Sequence, residues 1–157
     1  MNEVERAGEL FLEGYNCAQS VFTAFCHRFD IDEETAKKIS AGLGGGVGRM
    51  REVCGAVSGA AMVIGSLVAG VNGDDTESKA KNYELVREFA ELFKERHGGT
   101  IVCREMLKLD VPMEKTAMPE NRTAEYYKNR PCLRVVEDAA DILKKMIESY
   151  EKGEEQK

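Results

Sequence analysis

Positive charge is scarce in this chain. Its 22 lysines and arginines face 28 aspartates and glutamates, a net charge of −6, with no basic stripe interleaved with aromatics. A nucleic-acid partner is therefore not expected, because phosphate binding needs clustered cations. The usual catalytic signatures are missing too. There is no HExxH, no GxSxG and no paired-carboxylate pattern. Only two histidines occur. His27 reads as a helix-surface residue, and His97 as a helix C-terminal one that suits the negative end of the dipole.

Spacing motifs for metals are absent as well. No CxxC pair, finger spacing or ferredoxin-type run is present. Any site shared by the cysteines must be assembled by the fold. No repeat, low-complexity block or convincing strand appears, and residues 62–68 are the one place a strand could hide. The first fourteen residues lack a basic stretch followed by an apolar one. They do not read as a secretory signal, and a cytoplasmic location is expected. Residues 53–71 carry no charge but are rich in Gly, Ala and Ser. They read as a buried central helix and not as a membrane span.

What is present is a folded chain of 157 residues, 43% hydrophobic and 32% charged. The expectation is an all-α single domain over residues 1–157, a bundle of about six to seven helices around the apolar one, with 151–157 as a frayed tail. Residues 3–13 place Val4, Ala7, Leu10 and Phe11 on one helical face, and Gly14 ends that helix. Asn16 caps a second helix in a capping-box pattern with Gln19, and that helix stops near Asp30. Asp32 caps a third, through Lys38 to about Ala41. A glycine loop leads to the apolar helix over 54–69, where Gly55, Gly59, Ala60 and Gly65 would admit close neighbours.

A turn over 71–75 precedes a long amphipathic helix over 76–96, with Tyr83, Val86, Phe89, Ala90 and Phe93 as its buried stripe. Thr100 is the expected cap of a short helix ending near Leu109. Residues 110–129 are the least regular, with one helical turn around Tyr126 and Tyr127. Pro131 opens the last helix, to about Tyr150.

The five cysteines fall on this map in a pattern. Cys17, Cys54, Cys103 and Cys132 each sit in the first turn of a predicted helix. That turn exposes unpaired N–H groups and the positive end of the dipole, both of which favour thiolate over thiol. Cys26 lies beside Phe22 and Phe25 and reads as a small buried hydrophobe. The loop glycines Gly42, Gly44, Gly45, Gly46 and Gly48 could form an anion nest, but they match neither GxGxxG nor a P-loop. They could equally be a tight turn, or a wall wrapped around sulfur with Arg49 and Arg51 offsetting thiolate charge.

Residues 15–21 (YNCAQSV), Gly44-Gly45-Gly46 leading to CGAVSG at 54–59, Cys103-Arg104-Glu105, and Cys132 with its final helix resemble the C_GCAxxG_C_C family. The resemblance covers nearly the whole chain and falls on Cys17, Cys54, Cys103 and Cys132. It implies a redox-active protein, and a related domain joined to cytochrome-like modules points toward electron transfer. The leading expectation is that these four thiolates, beside Gly44, Gly45 and Gly46, hold an iron–sulfur cluster for electron transfer or redox sensing. The alternatives are metal-free thiol–disulfide chemistry with Cys54 as nucleophile, a structural zinc site, or a helical interaction module with incidental cysteines. A redox partner protein is expected, and the small-residue faces of the apolar helix suit a homodimer.

Overall fold

A computed structural model describes residues 2–108 and 116–155. The expected end of the short helix near Leu109, the irregular stretch over 110–115 and the last two residues of the tail lie outside the described residues. The chain is all-α, with eight α-helices among the described residues.

The capping residues read from sequence set most of the starts. Helix α1 (Glu3–Leu12) begins at Asn2, which forms a capping box with Glu5. Helix α2 (Cys17–Phe25) begins at Asn16, whose Oδ1 accepts from the Gln19 N–H at 2.9 Å while Gln19 Oε1 accepts from the Asn16 N–H at 3.0 Å. A 3-10 turn over Cys26–Phe29 extends it to Asp30, where a left-handed φ of 56° stops the coil. Asp32 caps α3 (Glu33–Ser40), and Asp75 caps α5 (Thr76–Arg96). Between them runs α4 (Gly55–Val68), which takes in the run where a strand could have hidden.

Three expectations need correction. Thr100 caps no helix: its Oγ1 accepts from the Val102 N–H at 3.0 Å, and α6 (Cys103–Met106) starts later. The cause is a lone antiparallel β-bridge, Val53 to Val102, that keeps the chain extended there. The helical turn expected around Tyr126 and Tyr127 is present as α7 (Ala124–Asn129), capped by Thr123. Helix α8 (Cys132–Glu155) continues past Tyr150. Lys81 over the Tyr150 ring and Arg28 beside Glu151 at 3.7 Å hold its end against α5 and the 3-10 turn. Last, Tyr83 is exposed, because the inward stripe of α5 runs through Leu85 and Val86 to Phe89 and Phe93.

The core gathers around α4, as its lack of charge predicts. Ala56, Ala60 and Val63 are fully buried, against Val21 and Phe25 of α2, Phe89 and Phe93 of α5, and Val136, Ala140 and Leu143 of α8. Removing these aromatic and branched side chains from water supplies the main driving force. Among the described residues no helix is long and apolar enough to cross a membrane. His27 is on the surface, whereas His97 packs on the Phe93 ring at 4.6 Å, and burial pushes its pKa down. Asp138 Oδ2, 3.1 Å from His97 Nε2, pulls the other way.

Candidate functional site: four helix starts on one cleft

Cys17, Cys103 and Cys132 are the first residues of α2, α6 and α8, and Cys54 is the N-cap of α4. The fold turns these four helix starts toward one cleft of about 330 Å³, lined by all four cysteines and by Gly44, Gly45 and Gly46. All five cysteines are free thiols. Cys26 is 4% exposed and packs in the core, as its aromatic neighbours predict.

Backbone pairing brings two of the four together. The Cys54 N–H donates to the Ile101 carbonyl at 2.8 Å, and the Cys103 N–H donates to the Glu52 carbonyl at 2.6 Å. Residues 51–54 and 101–104 thus run side by side. Glycines bring in the third. A Cβ on Gly55 would lie 3.0 Å from the Ala18 backbone N and 3.2 Å from Cys17 Cβ, and one on Gly59 would lie 2.9 Å from the Ala18 carbonyl oxygen. One helical turn apart, these glycines let α4 press directly on the start of α2. The spacing of the CGAxxG motif is thereby explained as a backbone contact that seats Cys17.

The glycine loop works in the same way. Gly46 has a left-handed φ of 68°, and a Cβ there would meet Cys103 Cβ at 2.7 Å. At Gly44 a Cβ would overlap the Asn16 side chain that caps α2. The loop's N–H groups donate to its own carbonyls, as from Gly48 to Gly42 at 2.9 Å and from Arg51 to Gly45 at 3.0 Å. Of the three roles open to this loop, close backbone approach is the one its geometry uses. Val47 holds a φ of 67° in the midst of it, a strained conformation for a β-branched residue.

Helix-start position predicts lowered pKa values for all four thiols; the structure restricts this to Cys132. Burial pushes Cys54 up to about 12, outweighing the N–H groups of Ala56 and Val57. Burial likewise raises Cys103, although Arg51 Nη1 lies 3.7 Å from its sulfur. Cys17 is raised well above the ordinary value, first by its hydrogen bond with Cys132 and then by burial. Cys132 shifts the opposite way. That hydrogen bond, aided by Arg130, Arg122 and Arg51, brings it down to about 7 against the cost of burial. The partial charge of a helix end is small beside the desolvation of a full thiolate. Cys54, only 6% exposed and protonated, is thus poorly placed as the attacking sulfur.

The sequence reading missed the cover of this cleft. Arg122 Nη1 and Nη2 donate to the carbonyls of Phe11, in the last turn of α1, and Tyr15, just beyond it, at 3.0 and 3.1 Å. Its guanidinium also stacks 4.3 Å over the Phe11 ring. This ties the segment before α7 across the cleft. Glu120 sits on that segment among Arg49 at 3.6 Å, Arg51 at 3.9 Å and Arg130. The available signal was Arg130, two positions before Cys132. No group of three His, Cys, Asp or Glu side chains among the described residues is placed to hold a metal ion.

The fold is all-α, and it turns four free thiols toward one cleft. The profile of the family described as "Putative redox-active protein (C_GCAxxG_C_C)" matches residues 15–146, and the chain belongs to that family. No curated protein and no solved structure matches it.

Proposed function

We propose that this redox-active protein works by thiol–disulfide exchange, with Cys132 as the attacking thiolate and Cys17 as the resolving thiol. One observation carries the reading: Cys17 and Cys132 open α2 and α8 on the same cleft, close enough that each thiol shifts the acidity of the other, Cys132 downward and Cys17 upward. A thiol with pKa close to ambient pH combines a useful thiolate fraction with good nucleophilicity. The Cys132 thiolate attacks one sulfur of a partner disulfide, that S–S bond breaks, and a partner thiolate leaves. Cys17 then loses its proton and attacks Cys132 Sγ, releasing the second partner thiolate. The partner gains two electrons, and the Cys17–Cys132 bond stores their loss until a dithiol reverses the exchange. Free thiols in this number suit a reducing compartment such as the cytoplasm.

Mild oxidation followed by thiol counting and disulfide mapping tests this. The expected result is loss of two thiols, with the bridge at Cys17–Cys132. An unchanged count, or a bridge elsewhere, overturns it.

The convergence of all four cysteines on one cleft favours a second reading, an iron–sulfur cluster. The donor type fits, but among the described residues no group of three His, Cys, Asp or Glu side chains is placed to hold a metal ion. Iron and sulfide analysis of anaerobically prepared protein decides: stoichiometric iron would replace the disulfide reading with this one. Zinc without iron would indicate the structural alternative.

A further inference from the structure

The arginine arrangement over the thiols speaks to the substrate. Arg49, Arg51 and Arg130 converge on one oxygen, Oε1 of Glu120. Their side chains are 13%, 8% and 19% exposed, whereas the Glu120 side chain is 42% exposed. Shielded cations thus meet a carboxylate that is open to solvent. Arg49, Arg51 and Glu120 line the same cleft as Cys132 and Cys17. Glu120 reaches them from the irregular segment before α7, which is tied down by contacts on either side. Arg49 donates to the Met118 carbonyl and, at 3.3 Å, to that of Thr116, while Arg122 holds the far side. Arginine forks suit carboxylate geometry, and their grip strengthens as water is excluded.

We infer that Glu120 occupies the place of a substrate carboxylate, and that the cleft takes low-molecular-weight disulfides bearing a carboxylate. This rests on the Cys17–Cys132 reading and names the substrate class for it. The incoming carboxylate displaces Glu120 from the guanidinium groups and brings its own S–S bond to Cys132, which lines the same cleft. The exchange then runs as above, the small disulfide being reduced to two thiols as Cys17 and Cys132 are oxidised. Glu120 is a competitor of the same chemistry as the ligand, covering the cations while the cleft is empty of substrate.

The test compares two disulfide probes, the anionic dithiobis(nitrobenzoate) and the neutral dithiodipyridine, in a Cys17→Ser background where the mixed disulfide stays on Cys132. The ratio of the two rates cancels any change in thiolate fraction. Glu120→Gln is expected to raise the anionic-to-neutral ratio by about threefold or more, and Arg49→Gln to lower it by a similar factor. Added salt should lower the ratio in the parent protein, with no mutation involved. Peptide mapping confirms that the label is on Cys132. If Cys132 reacts with both probes and neither variant nor salt moves the ratio, the inference fails and the exchange reading stands. If neither probe labels Cys132, the exchange reading fails, and this inference with it.

Discussion

Replacing Gly59 by alanine tests whether the CGAxxG glycines act as a backbone contact. The new Cβ would lie 2.9 Å from the Ala18 carbonyl oxygen and 3.3 Å from Ala18 Cα. Both are backbone atoms, so no side chain can swing away; α2 and α4 must separate by several tenths of an ångström. Overpacking of this kind costs about 1–3 kcal/mol. Alanine recovers about 1 kcal/mol of helix propensity over glycine. The net expectation is a loss of up to about 2 kcal/mol, read as a lower urea midpoint with unchanged slope. Gly65→Ala in the same helix is the internal control. Its Cβ would meet only Asn82 Nδ2, at 3.9 Å. There the propensity gain stands alone, and stability should rise by about 0.5–1 kcal/mol. Equal stabilisation by both substitutions would refute the idea that glycine is needed at 59 for helix contact.

Three further outcomes are expected. Alkylation of Cys132 should fall about tenfold per pH unit below its pKa of about 7, while Cys54, raised to about 12, stays unreactive at neutral pH. A Cys54 that alkylates first would overturn the charge assignment. The raised Cys54 also links stability to pH. Its folded value exceeds the unfolded 9.0, so its contribution is complete below 9.0 and is lost as pH rises toward 12. The loss is about 1.4 kcal/mol per unit, and Cys54→Ala should flatten the alkaline limb of the reduced protein's stability curve. Gly46→Ala forces a Cβ to within 2.7 Å of both Cys103 Cβ and the Glu52 backbone N at a left-handed φ. It should cost about 2 kcal/mol or more in thermal or urea unfolding.

Signals confined to a few neighbouring residues were legible in the sequence. The Asn16–Gln19 box, the Asp32 cap and the placement of four cysteines at helix starts all act over one helical turn, and all hold. Thr100 failed as a cap because a partner 49 positions earlier, across the Val53–Val102 bridge, claimed its neighbourhood. Tyr83 failed because the rotational position of α5 is set by what packs beneath Phe89 and Phe93. The thiol acidities failed for a similar reason. A helix start can be read from the chain, but the burial that raises Cys54 and the guanidinium groups that favour ionisation of Cys132 exist only in three dimensions. Glu120 and Arg122 were hidden because irregular chain has no periodicity from which to infer a facing partner.

The bridge between Val53 and Val102 has a mechanical consequence. It cinches the base of the α4–α5 hairpin, so Cys54 and Cys103 are carried by one closed loop. The far end of that loop, where Val71 is 99% exposed, stands about 20 Å away along the 14 residues of α4. The hairpin is a handle riveted at the sulfur end. Extra residues or a fluorophore spliced into its tip should leave the spacing of those two sulfurs untouched, which makes the tip the natural attachment point for a reporter on this molecule.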